Sequence, residues 1–142
     1  MHAGTHGSSF RRAALAVLAV ALGGCGGARP VAVRAFVVDV TGHRKARSCH
    51  GRVVLFDPEV VTADRAVIAR EGCMSVPDLT GNVPRAARLV VRGLTPDGDR
   101  RTLEVDAFEA RAVLHELDHL DGVLFLDRLV SHADVFRRKV YR

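Results

Sequence analysis

His115-Glu116-Leu117-Asp118-His119 is the stretch of this chain whose residue types and spacing can do chemistry. Residues four apart on an α-helix lie on one face and rise about 6 Å, so His115 and His119 present two imidazoles together. Glu116 sits at the edge of that face, within reach of a water held by the same ion. Two imidazoles and one carboxylate in this order suit a metal ion that activates water, with Glu116 handling the protons. A solvated histidine pair on an amphipathic helix satisfies the same five residues. The two readings part on whether another segment supplies a third ligand, because a water-activating ion needs three protein donors and one open position.

Cys73, 42 residues before His115, is the candidate. It lies in Glu71-Gly72-Cys73-Met74-Ser75, where Gly72 permits close backbone approach and the Met74 N–H can point into a site. A buried structural thiol is the competing role for a single cysteine. His43, Cys49 and His50 also carry ligand atoms, but their spacing matches no common metal site.

The elements that must position these residues are legible in outline. Ala35-Phe36-Val37-Val38-Asp39-Val40 reads as a strand, and residues 41–51 as an exposed polar loop. Val53-Val54-Leu55-Phe56 resumes strand character, Asp57-Pro58 predicts a turn, and Val60-Val61 and residues 67–70 predict further short strands. Residues 87–92 and 101–105 flank Thr95-Pro96-Asp97-Gly98-Asp99, which predicts a hairpin. The period then shifts toward 3.6. Asp106 is a suitable N-cap with Glu109 completing a capping box, and Gly122 suits a left-handed helix end. Phe108, Ala112, His115 and His119 share one stripe, while Leu114, Leu117 and Leu120 bury the helix against the strands. Residues 123–126 read as extended, and residues 131–142 as a basic terminal helix. The fold class expected is α+β, with antiparallel strands packed around a central helix that carries HExxH and binds metal.

The 142 residues are 48% hydrophobic and 26% charged, the composition of one globular domain. The net charge of +5 is dispersed, with no basic block interleaved with aromatics, so sequence-specific DNA binding finds no support. Three cysteines without a C-x-x-C pair do not make a disulfide framework. Arg11-Arg12 precede an apolar run at residues 13–22, too short to span a bilayer. That run and Leu22-Gly23-Gly24-Cys25 resemble a lipoprotein signal, in which Cys25 is lipidated. The alternative is an Ala/Leu-rich helix broken by glycines. Residues 1–33 are therefore set apart from a domain at 34–142.

Two motifs together carry a family resemblance. Glu71-Gly72-Cys73-Met74-Ser75-Val76-Pro77 closely resembles the E-G-C-L-S motif of peptide deformylases, and His115-Glu116-Leu117-Asp118-His119-Leu120-Asp121-Gly122 resembles their H-E-x-D-H-L-x-G motif. Leu124-Phe125-Leu126-Asp127-Arg128-Leu129 resembles the stretch that follows. The resemblance implies that Cys73, His115 and His119 hold a ferrous ion, with zinc or another divalent metal in its place. It implies that Glu116 is the general acid/base and that the Met74 N–H steadies the oxyanion. The substrate implied is the N-formylmethionyl end of a nascent peptide, from which formate is released. Asp118 and Asp121 are candidates either for partners of the imidazoles or for solvated helix residues. A cytoplasmic location follows, unless Cys25 is lipidated and places the chain on a membrane. The basic residues 136–142 fit either a solvated tail or ribosome contact.

The family's upstream G-x-G-x-A-A-x-Q motif is not matched. Gly23-Gly24-Cys25-Gly26-Gly27-Ala28-Arg29-Pro30 stands in its place, and the 142 residues contain no glutamine. The expectation is an intact metal site with weakened turnover. A deformylase-like protein that binds metal or peptide without turnover is the alternative.

Overall fold

The computed structural model describes residues 33–138. The signal-like segment and Cys25 lie outside them, as do residues 139–142. Among the described residues no helix is long and apolar enough to cross a membrane.

The chain forms a mostly antiparallel sheet with one α-helix. Strands β1 (Ala35–Val38), β2 (Val53–Cys73), β3 (Val76–Leu94) and β4 (Arg100–Asp106) neighbour one another in that order. Helix α1 (Ala107–Leu120) follows, and a short β5 (Val135–Arg137) returns to β3. Alternation explains β1, where Phe36 and Val38 point inward and pair opposite Leu55 and Val53. The hairpin expected around residues 95–99 joins β3 to β4. Gly98 takes φ +87° there, and its N–H bonds the Thr95 carbonyl at 2.9 Å.

The short strands expected between residues 53 and 70 are one continuous β2. No turn forms at Asp57-Pro58. Register shifts between Phe56 and Glu59 and between Val60 and Thr62 bend the strand, with Asp57 at φ +45°. Proline is tolerated at such bulges because the ladder is already interrupted. The resulting long β2–β3 hairpin closes at residues 73–76, which puts Cys73 at its tip.

Helix α1 buries Ala110, Val113 and Leu117 at i, i+3 and i+7 against Phe36, Val38, Leu89, Val91, Leu103 and Val105. Leu114 and Leu120 pack at the edge of this core. Its C-terminus ends as expected. Gly122 has φ +73°, and the N–H groups of Gly122 and Val123 bond the carbonyls of His119 and Asp118, a Schellman arrangement. The N-terminus differs from expectation. Asp106 is the N-cap by backbone conformation, but its side chain makes no cap bond and accepts instead from the Ser48 N–H at 2.9 Å. Glu109, fully buried, accepts from the His50 N–H at 2.8 Å and faces its Nδ1 at 3.0 Å. The carboxylates of the expected capping box thus strap the 41–51 loop to the helix, and His43 stacks on Phe108 at 3.6 Å beside them.

The basic terminal helix does not form in the described residues. Residues 125–128 and 132–134 are short 3₁₀ turns, and 135–137 pair with Leu79, Thr80 and Gly81 of β3. Arg70 caps the Phe136 ring at 3.6 Å, and Asn82 donates to Asp134 at 2.7 Å. The free edge of β3 beyond β4 captures the segment, outweighing its weak helical preference.

Gly93 sits where β2 bends. A Cβ there would meet the Phe56 carbonyl oxygen at 2.7 Å and the Leu55 Cβ at 3.3 Å. Gly93→Ala is expected to destabilise the fold by about 1–3 kcal/mol. Urea unfolding checks this: the midpoint falls at constant slope, and an unchanged midpoint removes the close-approach argument.

Candidate metal centre

The tip of the β2–β3 hairpin and the second half of α1 converge. Cys73, His115 and His119 each offer one donor atom, and all three atoms lie within 4.8 Å of one another. Cys73 Sγ is 3.2 Å from His119 Nε2, which is itself 3.2 Å from His115 Nε2. Helical spacing brings the two imidazoles edge to face at 83°. Docking of the hairpin tip against the helix brings the thiol to His119 from 46 residues away. Among the described residues this is the one such donor group. His43, Cys49 and His50 do not form another.

Glu71 lies two residues before Cys73 on the same face of β2, and its Oε2 is 3.3 Å from His115 Nδ1. Accepting from Nδ1–H leaves the Nε2 lone pair turned toward the thiol and His119. Three arginines complete a charge network whose centre, Glu71, Arg85 and Asp118, is buried while Arg128 lies exposed at its edge. Arg85 of β3 donates to both Glu71 oxygens at 3.0 and 3.1 Å and to Asp118. Arg111 donates to Glu71 Oε1 at 3.0 Å, and Arg128 to Asp118 at 2.9 Å. Asp118 is therefore neither an imidazole partner nor a solvated residue. It is a buried anchor for two guanidiniums. Asp121 is exposed and pairs with Arg34 at 2.7 Å. Glu71 was the residue to suspect as the imidazole's partner, because i and i+2 share a strand face. Its arginine partners carry no local signal.

The electrostatics follow from these contacts. Burial alone would raise the Cys73 thiol, but the Ser75 N–H and His115 outweigh it and hold the thiol below its ordinary value. Burial would likewise raise Glu71, but His115 and Arg85 hold its carboxyl low. His115 is lifted by Glu71 and Cys73 against its burial, while His119 is lowered by burial and by the charge of His115. Glu116 is the exception. Both its oxygens are buried without a hydrogen-bond partner, and burial pushes its carboxyl up to about 7. A thiol biased toward thiolate beside two imidazole nitrogens fits a divalent transition metal. The unpartnered Glu116 carboxyl fits a group kept for a ligand or water. Met74, at the hairpin tip, has its side chain two-thirds exposed, and the Ser75 N–H donates to Cys73 Sγ at 3.4 Å.

A sequence profile described as polypeptide deformylase matches residues 30–134. The chain belongs to the peptide deformylase family. It is 41% identical over 100 residues to a peptide deformylase of Halothermothrix orenii, covering 70% of this chain and 61% of that protein. A Xylella fastidiosa peptide deformylase is 40% identical over 108 residues, covering 75% and 61% respectively. Among solved structures, the Thermotoga maritima peptide deformylase superposes with a TM-score of 0.61 at 33% identity, covering 69% of this chain and 62% of that one. The Synechococcus elongatus enzyme in complex with actinonin gives 0.62 at 30% identity, covering 71% and 52%. The chain spans less than two thirds of the length of these relatives. Over the matched region their fold is the one seen here, a mostly antiparallel sheet with one helix.

Arg85 compensates two buried carboxylates, and removing one partner of such a cluster typically costs about 3–5 kcal/mol. Arg85→Met is expected near about 3 kcal/mol, because Arg111 still reaches Glu71 and Arg128 still reaches Asp118. Chemical denaturation reads the loss. A change below about 1 kcal/mol means that the network does not hold the fold.

Proposed function

We propose that the chain is a metal-dependent hydrolase that removes the N-terminal formyl group from the methionine of newly made polypeptides. The observation that carries this reading is the convergence of Cys73, His115 and His119 beside a buried, unpartnered Glu116, in a member of this family. The three donors would hold a ferrous ion, with zinc or another divalent ion as substitute. A bound divalent ion supplies Lewis acidity at the carbonyl oxygen and makes water more acidic.

The protein's own groups do the rest. Glu116 takes a proton from the attacking water as the oxygen adds to the formyl carbon. It returns that proton to the methionine nitrogen as the C–N bond breaks, leaving formate and a free amine. A carboxyl held at about 7 accepts and releases a proton readily near neutral pH. The Met74 N–H is the assigned donor to the oxygen that gains charge. The family's glutamine would be a second donor. Its absence from these 142 residues predicts turnover lower by roughly 10²–10³ than in relatives that possess it. The substrate places the activity in the cytoplasm, next to the ribosome, where the basic residues 136–142 are the candidate contact.

Formate release from an N-formyl-Met peptide is the direct test. Measurable wild-type release that falls at least about 10²-fold in Glu116→Gln supports the role. Equal rates in the two proteins refute it. Metal binding is tested separately by thermal unfolding. Added zinc or cobalt is expected to raise the midpoint of the wild-type protein and leave Cys73→Ala and His119→Ala almost unmoved. A shift of the same size in all three would place the ion elsewhere.

A further inference from the structure

The metal donors sit on two elements, Cys73 at the hairpin tip and the histidines on α1, and something must fix the distance between them. Arg111 spans that gap. It lies one helical turn before His115, and its side chain is 13% exposed. Nη1 donates to Glu71 Oε1 at 3.0 Å and reaches the carbonyls of Ala69 and Val83 at 3.4 Å. Nη2 reaches the Val67 carbonyl at 3.3 Å. One guanidinium on the helix thus holds both strands of the hairpin and the carboxylate that orients His115 Nδ1.

We propose that Arg111 is a positioning residue for the metal centre, acting through Glu71 and the hairpin backbone. This rests on the metal-centre reading above. Arg85 and Arg111 divide the work on Glu71. Arg85 is a strand residue that neutralises both Glu71 and Asp118, so its loss falls on folding. Arg111 ties α1 to backbone carbonyls, and when it is lost Arg85 still pairs the Glu71 charge. Its loss therefore loosens the seat of Glu71 more than it exposes an uncompensated charge. Lysine cannot reproduce the contact, because an ammonium is a point donor whereas the guanidinium is a planar fork that serves four oxygens on two strands.

The test measures metal affinity directly, by competition for zinc with a chromophoric chelator, on wild type, Arg111→Met and Arg111→Lys. Partners of this kind typically govern metal affinity by about 10–100-fold. Arg111→Met is expected to weaken zinc binding within that range, and Arg111→Lys to recover only part. Gly93→Ala serves as a control that loses stability away from the metal donors. It is expected to keep wild-type affinity despite a lower unfolding midpoint. Affinity of Arg111→Met within threefold of wild type overturns the proposal, as does a loss that Gly93→Ala matches. If Arg111→Met fails to fold, Arg111→Lys decides alone, and wild-type affinity in it overturns the proposal. A wild-type protein that binds no zinc, iron or cobalt overturns the metal-centre reading itself, and this inference with it.

Discussion

The carboxylate of Glu71 is the interaction on which the site depends. It is buried between β2 and α1 and receives Arg85, Arg111 and the His115 ring. A buried carboxylate without donors would protonate or unfold its surroundings. Satisfied on both oxygens, it becomes a fixed point linking three elements. Cys73 follows Glu71 by two residues, and although the register shifts between Gly72 and Cys73, both side chains are buried against α1, Glu71 at His115 and Cys73 at His119.

The second carboxylate at the site is treated in the opposite manner. Glu116 is as buried as any described residue, yet neither oxygen has a partner, and its carboxyl rises to about 7. Glu71 is held low by a positive surround while Glu116, 45 residues on in sequence, is left alone. Two carboxyls close to the same donors are driven apart in acidity by solvation and neighbours. Glu71 faces a ring nitrogen and two guanidiniums and does not need to change charge. Glu116, buried without donors, has a carboxyl that changes charge near neutrality.

How much of this was legible in the sequence depends on how far each partner lies along the chain. Helix α1 and its glycine terminus were readable because periodicity and a left-handed glycine are local properties. The hairpin around Gly98 was readable for the same reason, and the donor residues stood out by type and spacing. Other readings failed where a distant partner overrode a local preference. Asp106 and Glu109 looked like a capping box, but Ser48 and His50, 58 and 59 residues away, claimed their oxygens. Asp57-Pro58 looked like a turn, but pairing with β3 carried the strand through it as a bulge. Residues 135–137 looked helical until the open edge of β3 was available to them. Asp118 looked solvated because nothing nearby in sequence announces Arg85, 33 residues upstream.

The same distances bear on how the centre couples to folding. His115 and His119 approach each other whenever α1 forms, but Cys73 joins them only when the hairpin has docked. The donor set is therefore complete in the folded protein and scattered in the unfolded chain. An ion that binds only the complete set adds its binding free energy to the stability of the docked arrangement. The lowered thiol works in the same direction, since a donor already biased toward thiolate gives up less on binding. Docking the hairpin also buries Phe125 and Val83 against Cys73. Apolar packing and an ion held by the three donors would therefore act on one joint, the contact between the hairpin tip and the last turns of α1. The directional contacts that Arg111 makes with Glu71 and the hairpin carbonyls complement that packing, because hydrophobic contact is nondirectional and cannot fix the separation of a sulfur and two nitrogens by itself.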